Sequence, residues 1–219
     1  MDKFGLIGFP ISHSMSPRLF EAAYAGKYLY ELIETEDFDK AWGYFLDAYK
    51  AINVTAPFKA LAYERTDWRS PECQRCGATN LCVKTEEGIK AYNSDYMGVK
   101  SLIKDFDKGT AAIIGYGGAG KAALAAAEDL GFDTRLYRHN EISGGVNADL
   151  IIYTLPKEVE GFDRLECAHL IEANYKDPCL SWHKAYIPGT AWHLMQAVLG
   201  YSIMTGEDPQ VEPMRKVYL

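Results

Sequence analysis

The sequence predicts an α/β protein that consists of two lobes. Short apolar segments with the composition of strands alternate with helical segments along the 219 residues. Two such series are present, and the second begins at Thr110, so each lobe is expected to hold its own sheet. With 48% hydrophobic residues, the chain can bury a substantial core.

The first series has the order βαβαβ. Its predicted elements are a strand at 4–8, a helix at 17–26, a strand at 28–33, a helix at 38–49 and a strand at 51–55. Ser16 before Pro17 is typical of an N-cap followed by proline at the first helical position. The loop before this helix therefore follows the first strand, at the edge where open α/β sheets bind ligands.

The second series starts with an apolar strand and an alanine-rich helix. Its predicted elements are strands at 111–114, 134–137, 150–154 and 169–173, with helices at 119–130 and 191–204. The boundary between the lobes is expected near residues 105–109.

Composition favours a small-molecule partner. The net charge of −7 and a pI near 5.3 argue against a nucleic-acid-binding protein or a polybasic membrane protein. No apolar run approaches the roughly 20 residues that cross a bilayer, and residues 1–4 carry no signal-peptide pattern. We therefore expect no nucleic-acid partner, no membrane partner and a cytoplasmic location.

The five cysteines are expected to be reduced thiols. Their number is odd and their spacing irregular, which argues against a disulfide framework. Cys73 and Cys76 form a Cys-x-x-Cys pair with only Cys82 nearby, so no metal site is predicted.

A glycine loop follows the strand at 111–114. Gly115, Gly117 and Gly120 have Gly-x-Gly-x-x-Gly spacing, with Gly118 and Ala119 between the last two. In this setting glycine permits the tight turn, the approach of a pyrophosphate and the packing of helix on sheet. The loop therefore predicts a Rossmann-type dinucleotide-binding lobe, the alternative being a glycine-rich turn without a ligand.

The end of the next strand carries Arg138, where NAD-binding folds usually place a carboxylate for the ribose 2′-hydroxyl. A guanidinium suits a 2′-phosphate instead, so NADP (NADPH) is the predicted cofactor. In the alternative, Arg138 is a solvated surface residue and Glu141 binds the ribose of NAD.

Three polar segments of the first lobe carry candidate chemistry: 12–17, 53–59 and 93–95. Each also has a structural explanation when taken singly. Ser16 could be a helix cap, Asn53 a turn residue and Asp95 the N-cap of a helix at 96–105. Lys59 could be a surface charge.

Taken together, the segments resemble the shikimate dehydrogenase family. The resemblance is carried, in this order, by GFPISHSMSP (8–17), NVTAPFK (53–59), GATN (77–80), NSDYMG (93–98) and the glycine loop, and it returns at Gln196-Ala197. The segment 137–149 departs from the family, because Gly144-Gly145 stands where the family usually has a further helix and strand.

The resemblance implies a set of site residues. The implied catalytic pair is Lys59 and Asp95. The implied substrate-binding residues are Ser14 and Ser16 for a carboxylate, with Thr55, Asn80, Tyr175 and Gln196 for the rest of the ring. The implied cofactor-binding residues are Gly115, Gly117, Gly118, Ala119, Gly120, Arg138 and, near the nicotinamide, Gly189. Glu172 stands at the family's acidic position before the tyrosine.

The resemblance also implies an activity and a domain plan. The activity is the reversible NADPH-dependent reduction of 3-dehydroshikimate to shikimate, in the pathway to chorismate and the aromatic amino acids. Residues 1–105, completed by 190–219, would bind substrate, and 106–189 would bind NADP, in a monomer or a homodimer. Two alternatives stay open: a quinate/shikimate dehydrogenase of relaxed specificity that uses NAD, and a non-catalytic sensor that binds shikimate-like ligands and a nucleotide.

Overall fold

The computed structural model describes all residues from 1 to 219 and divides them into two compact units. Unit 1 comprises 1–94 and 197–219, and unit 2 comprises 95–196. The divisions fall inside two helices, α5 (Ser94–Ile103) and α7 (Gly189–Thr205). None of the helices combines the length and the apolar character that crossing a membrane requires. The predicted assignment of a substrate domain and a cofactor domain, with boundaries at 105–106 and 189–190, stays a prediction.

Unit 1 is built on a six-stranded mixed sheet in the order β2-β1-β3-β5-β6-β4. Its strands are β1 (Lys3–Gly8), β2 (Leu29–Glu34), β3 (Ala51–Val54), β4 (Trp68–Arg69), β5 (Leu81–Thr85) and β6 (Gly88–Tyr92). Its helices are α1 (Ser16–Tyr24), α2 (Phe38–Ala48), α3 (Lys59–Glu64), α4 (Pro71–Cys76) and α8 (Val211–Lys216). Strand β1 pairs in parallel with β2 and β3, whereas β5 runs antiparallel to β3 and β6.

The five predicted elements of this unit are confirmed, with ends shifted by one or two residues. Their apolar periodicity corresponds to a core in which Ile7, Ile52 and Val54 pack with Trp42 and Phe45 of α2. Burial of that face holds the helix on the sheet.

The predicted N-cap of α1 is wrong by one residue. Met15 is the N-cap and makes no side-chain capping bond, and Ser16 is the first helical residue. The reason is that the hydroxyl of Ser14 accepts the Ser16 N–H at 3.2 Å, so a serine two positions earlier binds that backbone donor. Asp95 is likewise not an N-cap, since α5 already begins at Ser94.

Unit 2 is built on a five-stranded parallel sheet in the order β13-β12-β10-β7-β8. Its strands are β7 (Thr110–Ile114), β8 (Asp133–Tyr137), β10 (Leu150–Tyr153), β12 (His169–Glu172) and β13 (Tyr186–Ile187). Helix α6 (Gly118–Asp129) connects β7 to β8, and every predicted strand and helix of this series is present. Since β7 lies between β8 and β10, the strand order reverses at β7, and such a switch point is where doubly wound sheets bind nucleotides.

The shortened segment after β8 folds as a small parallel ladder. Strand β9 (Val146–Asn147) pairs with β11 (Leu165–Glu166), which follows a 3-10 helix at Phe162–Arg164. Ile142, Val146 and Leu165 are buried against the sheet of unit 2. Residues 138–149 therefore hold a loop and a two-residue strand.

Candidate active site

The glycine loop lies at the carboxyl end of β7, at the switch point of the unit 2 sheet. Gly115 has φ of +103°, and a Cβ there would lie 2.5 Å from Thr154 Oγ1. A Cβ on Gly120 would clash with the carbonyl group of Gly115. Gly115 is thus required by its positive φ and by the Thr154 side chain, and Gly120 by the close approach of its backbone to that of Gly115.

Gly117 differs from its neighbours because nothing in the fold requires it to be glycine. Its φ of −77° suits any residue, and a Cβ would meet no atom within 4 Å. It is the exposed N-cap of α6, followed by Gly118 and Ala119, and the first turn carries no acidic residue. The helix terminus therefore presents backbone donors and positive potential to solvent, which suits a pyrophosphate.

Arg138 is exposed directly after β8. Its backbone N–H donates to a carboxylate oxygen of Glu141 at 2.6 Å, and the Glu141 N–H donates to the Arg138 carbonyl at 3.0 Å. Glu141 thus closes the turn that presents the guanidinium. The residues of unit 2 fit a dinucleotide whose phosphates lie along the loop and the α6 terminus.

A chain of hydrogen bonds starts at the serine pair of unit 1. The half-buried Ser14 hydroxyl donates to the Ser16 hydroxyl at 3.2 Å, and Ser16 bonds the Tyr30 hydroxyl. Tyr30 in turn donates to the side-chain oxygen of Asn53 at 2.8 Å. Burial raises the pKa of Tyr30, so the phenol stays protonated and remains the hydrogen-bond donor to Asn53.

The same network continues to Asn80. The Asn53 amide donates to the Asn80 carbonyl at 3.3 Å, and Asn80 is almost fully buried. The Asn80 amide donates to the Ser94 hydroxyl at 3.0 Å, while its oxygen accepts the Ser94 N–H at 2.7 Å. Such a satisfied network fixes the orientation of the side chains that belong to it.

Thr55 and Lys59 follow β3. The Thr55 N–H donates to the Ile7 carbonyl at 3.0 Å, which extends the β1–β3 ladder to the strand ends. Lys59 is the half-buried first residue of α3, and its carbonyl accepts the Thr79 N–H at 3.2 Å. A Cβ on Gly8 would clash with the Thr55 side chain, so glycine at the end of β1 makes room for it.

Asp95, Gln196 and Tyr175 belong to unit 2. Asp95 is half-buried in the first turn of α5, and its carbonyl accepts the Trp192 indole N–H at 2.9 Å. Gln196 lies on α7 where that helix meets α5, so closely that a Cβ on Gly98 would lie 2.7 Å from the Gln196 nitrogen.

Tyr175 lies in the loop after β12. Its ring stacks on that of His193, with centroids 4.2 Å apart and planes within 6° of parallel. Burial raises the pKa of the Tyr175 phenol. The ring is thus held in a fixed orientation.

Gly189 and Glu172 have structural roles at the end of β12. A Cβ on Gly189 would lie 2.6 Å from the Glu172 carbonyl oxygen, so only glycine starts α7 there. The buried Glu172 carboxylate accepts the N–H groups of Cys179 and Leu180 at 2.8 and 3.1 Å. Burial, together with this carboxylate, raises the pKa values of Cys179 and Tyr186 to about 12.

The structure thus brings the predicted residues together in two groups. Ser14, Ser16, Thr55, Lys59 and Asn80 lie in unit 1, at or beside the carboxyl ends of β1 and β3. Asp95, Tyr175, Gln196, Gly189, Arg138 and the glycine loop lie in unit 2. The pairing of Lys59 with Asp95 stays a prediction, as do the individual roles. Sequence reasoning missed Tyr30, Ser94 and His193; only Ser94, inside the Asn93-Ser94-Asp95 segment, carried a local signal.

Comparisons with known proteins show which proteins the chain resembles. A family model described as the shikimate dehydrogenase substrate binding domain matches residues 6–82. A shikimate dehydrogenase (NADP(+)) of Bacillus licheniformis is 28% identical over 99% of this chain and 96% of that protein. The chain is thus similar to shikimate dehydrogenases over nearly its whole length.

Other shikimate dehydrogenases match shorter stretches of the chain. A Thermus thermophilus shikimate dehydrogenase (NADP(+)) is 31% identical over 61% of this chain and 54% of that protein. An Aquifex aeolicus relative of the same name is 38% identical over 56% of this chain and 49% of that protein. The chain therefore spans about half the length of some relatives and nearly all of another.

Solved structures of shikimate dehydrogenases share the fold. The Thermus thermophilus enzyme in complex with NADP(H) and shikimate covers the whole chain at a TM-score of 0.86 and 22% identity. Shikimate dehydrogenase 1 of Peptoclostridium difficile covers it at 0.81 and 26% identity. The predicted α/β architecture, with two sheets and a Rossmann-type strand order in the second, is confirmed.

Proposed function

We propose that this chain catalyses the reversible NADPH-dependent reduction of 3-dehydroshikimate to shikimate. One observation carries the proposal: the family's polar segments and its glycine loop lie at carboxyl strand ends, the edge where α/β sheets bind ligands. The names of the relatives support NADP and shikimate as the ligands.

The serine network of unit 1 suits a carboxylate. The Ser14 and Ser16 hydroxyls are held next to each other and can turn their donors towards an anion. Thr55 and Asn80 border the same strand ends and would hold ring hydroxyls, with Gln196 and Tyr175 as further contacts. A substrate rich in hydroxyls requires many neutral donors and acceptors in its pocket.

The chemistry requires one proton at the oxygen that becomes the hydroxyl. Lys59, when protonated, would donate it to the ketone oxygen during reduction, and neutral Lys59 would accept it during oxidation. Asp95 would orient the ammonium group and bond the same hydroxyl. Bound NADPH supplies the hydride to the ring carbon.

The decisive test is a matrix of substrates and cofactors. Purified protein is mixed with shikimate or quinate and with NADP or NAD, and the absorbance of the reduced nicotinamide is followed. We expect the fastest turnover with shikimate and NADP. A preference for NAD together with quinate would support the relaxed-specificity alternative, and tight binding with a flat trace would support the sensor.

We further propose that the enzyme acts in the cytoplasm as a monomer or a homodimer. No disulfide joins its five cysteines, which suits a reducing compartment. Light scattering of the purified protein would give the oligomeric state.

A further inference from the structure

His193 lies between two predicted site residues of unit 2. It belongs to α7, three residues before Gln196, and only 9% of it is exposed. On one face, its imidazole lies flat against the Tyr175 ring, with centroids 4.2 Å apart and planes 6° apart. Buried rings in such contact restrict each other's orientation.

Asp95 also acts on His193. Its negative charge favours the protonated imidazole, but burial has the larger effect and lowers the pKa of His193 to about 4. The ring is therefore neutral at pH 7, with one nitrogen that donates and one that accepts. The preceding residue, Trp192, donates to the Asp95 carbonyl at 2.9 Å. Trp192 thus holds the backbone of Asp95, and the charge of Asp95 acts on the next residue of α7, His193.

A buried imidazole needs a polar partner to offset its desolvation, whereas a hydrocarbon ring would pack against Tyr175 equally well. The Asp95 carboxylate supplies that polar environment from within the same unit. The ring face of His193 thus packs on Tyr175, and Asp95 is the charged group that acts on its imidazole.

We propose that His193 is a positioning residue that holds the Tyr175 ring and the Asp95 carboxylate in one fixed arrangement. It acts through these two residues and does not itself touch the substrate. The proposal rests on the proposed function, in which Tyr175 binds substrate and Asp95 assists proton transfer.

Two substitutions separate the two contacts. His193→Phe keeps a flat ring for Tyr175 but removes the polar nitrogens, so kcat should fall about five- to tenfold with KM for shikimate nearly unchanged. His193→Gln keeps a polar group but loses the stacked ring, so KM should rise about three- to tenfold with kcat nearly unchanged. In an Asp95→Asn background, His193→Phe should cause little further loss, because the two residues act as a unit.

His169→Phe is the matched control. His169 also stacks on an aromatic ring of unit 2, that of Phe106 at 4.1 Å, but lies at the start of β12 and outside the predicted site. This variant should leave kcat and KM unchanged. If His193→Phe and His193→Gln behave like it, or change kcat and KM together in proportion to lost thermal stability, the positioning role is overturned.

An NMR measurement keeps this test independent of turnover. The chain has only five histidines, so imidazole signals are few. Ring protons of His193 should be shifted upfield by the Tyr175 ring, and Tyr175→Leu should remove that shift. Asp95→Asn should lower the pKa of His193 further. Absence of shikimate turnover would reject the proposed function alone, whereas imidazole signals unchanged in both variants would reject the positioning role.

Discussion

The three glycines of the cofactor loop differ in what requires them. At Gly115 the requirement is conformational, since φ is +103°, and at Gly120 it is steric, since a Cβ would meet the Gly115 carbonyl group. At Gly117 the fold imposes neither a conformational nor a steric requirement for glycine. Only a ligand lying over the loop would require glycine there. A substitution at Gly117 therefore tests cofactor binding without disturbing the fold.

We therefore expect Gly117→Ala to leave the unfolding temperature unchanged and to raise KM for NADP about ten- to a hundredfold, the equivalent of losing a charge-assisted backbone hydrogen bond. Gly120→Ala should weaken NADP binding too, but with a loss of about 1–3 kcal/mol in the free energy of unfolding. Cofactor titration and thermal unfolding measure the two effects. An unchanged KM in Gly117→Ala would place the pyrophosphate elsewhere.

In the proposed reaction, proton transfer depends on Lys59 and Asp95. Lys59→Ala and Asp95→Ala should each lower kcat about 10²- to 10⁴-fold, the usual contribution of a positioned acid or base. Lys40→Ala, which removes an exposed lysine of α2, is the control and should be neutral. Steady-state kinetics at saturating shikimate provides the measurement, and near-normal turnover of Lys59→Ala would contradict the assignment.

Ser14→Ala should act differently from these two variants. In the proposed site it removes one donor for the substrate carboxylate, so KM for shikimate should rise about tenfold while kcat changes little. The Ser14 hydroxyl also accepts the Ser16 N–H at the start of α1, so a loss of thermal stability should accompany the change. A pure loss of kcat would show that the serine pair does not bind the carboxylate.

At the scale of elements, the parallel strands and their helices were predictable because each carries its own apolar periodicity. The hairpin of β5 and β6 was not predicted, because its turn residues are Glu86 and Glu87 and lack the Asn-Gly or Asp-Gly signal. The turn is instead made by Thr85, whose hydroxyl accepts the Glu87 N–H at 3.2 Å, and by Gly88 with φ of +114°.

Strands of two residues could not be predicted from periodicity. β9 and β11 are defined only by their pairing with each other across an intervening stretch of chain. The same limit applies to the site: the local motifs marked Ser14, Lys59 and Asp95, whereas Tyr30 and His193 gain their contacts only through the fold. A contact between residues far apart in sequence leaves no local pattern.

We propose that Arg138, in the turn after β8, determines the preference for NADP over NAD. Arg138→Ala should raise KM for NADP about ten- to a hundredfold and leave KM for NAD nearly unchanged, since only NADP has the 2′-phosphate. The control is Arg135→Ala on the same strand, whose guanidinium instead lies over the Tyr137 ring. Added salt should reduce the difference, because an exposed charge pair is screened. Equal losses with both cofactors would show that Arg138 supports the turn or the adenine.

At the scale of the whole molecule, stability depends on titratable groups buried in both units. Burial raises the pKa of Cys73 in unit 1 and of Cys167 in unit 2 to about 11. Both thiols are therefore expected to favour the folded state below pH 9 and to lose that contribution as the pH rises towards about 11. On the acid side, the corresponding loss of folding stability comes from His193.

The lowered pKa of His193 predicts that acid decreases the free energy of unfolding. The folded-state pKa of His193 is lowered from 6.5 to about 4, so the unfolded chain binds the additional proton between these values. The free energy of unfolding should therefore be undiminished by this group above pH 6.5 and should fall by up to about 3 kcal/mol as the pH drops to about 4. His193→Phe has no group to titrate there, so its stability should decline less over the same interval. Urea unfolding of both proteins at pH 7 and pH 4.5 measures the difference, and parallel declines would show that His193 is not buried and neutral in the folded protein.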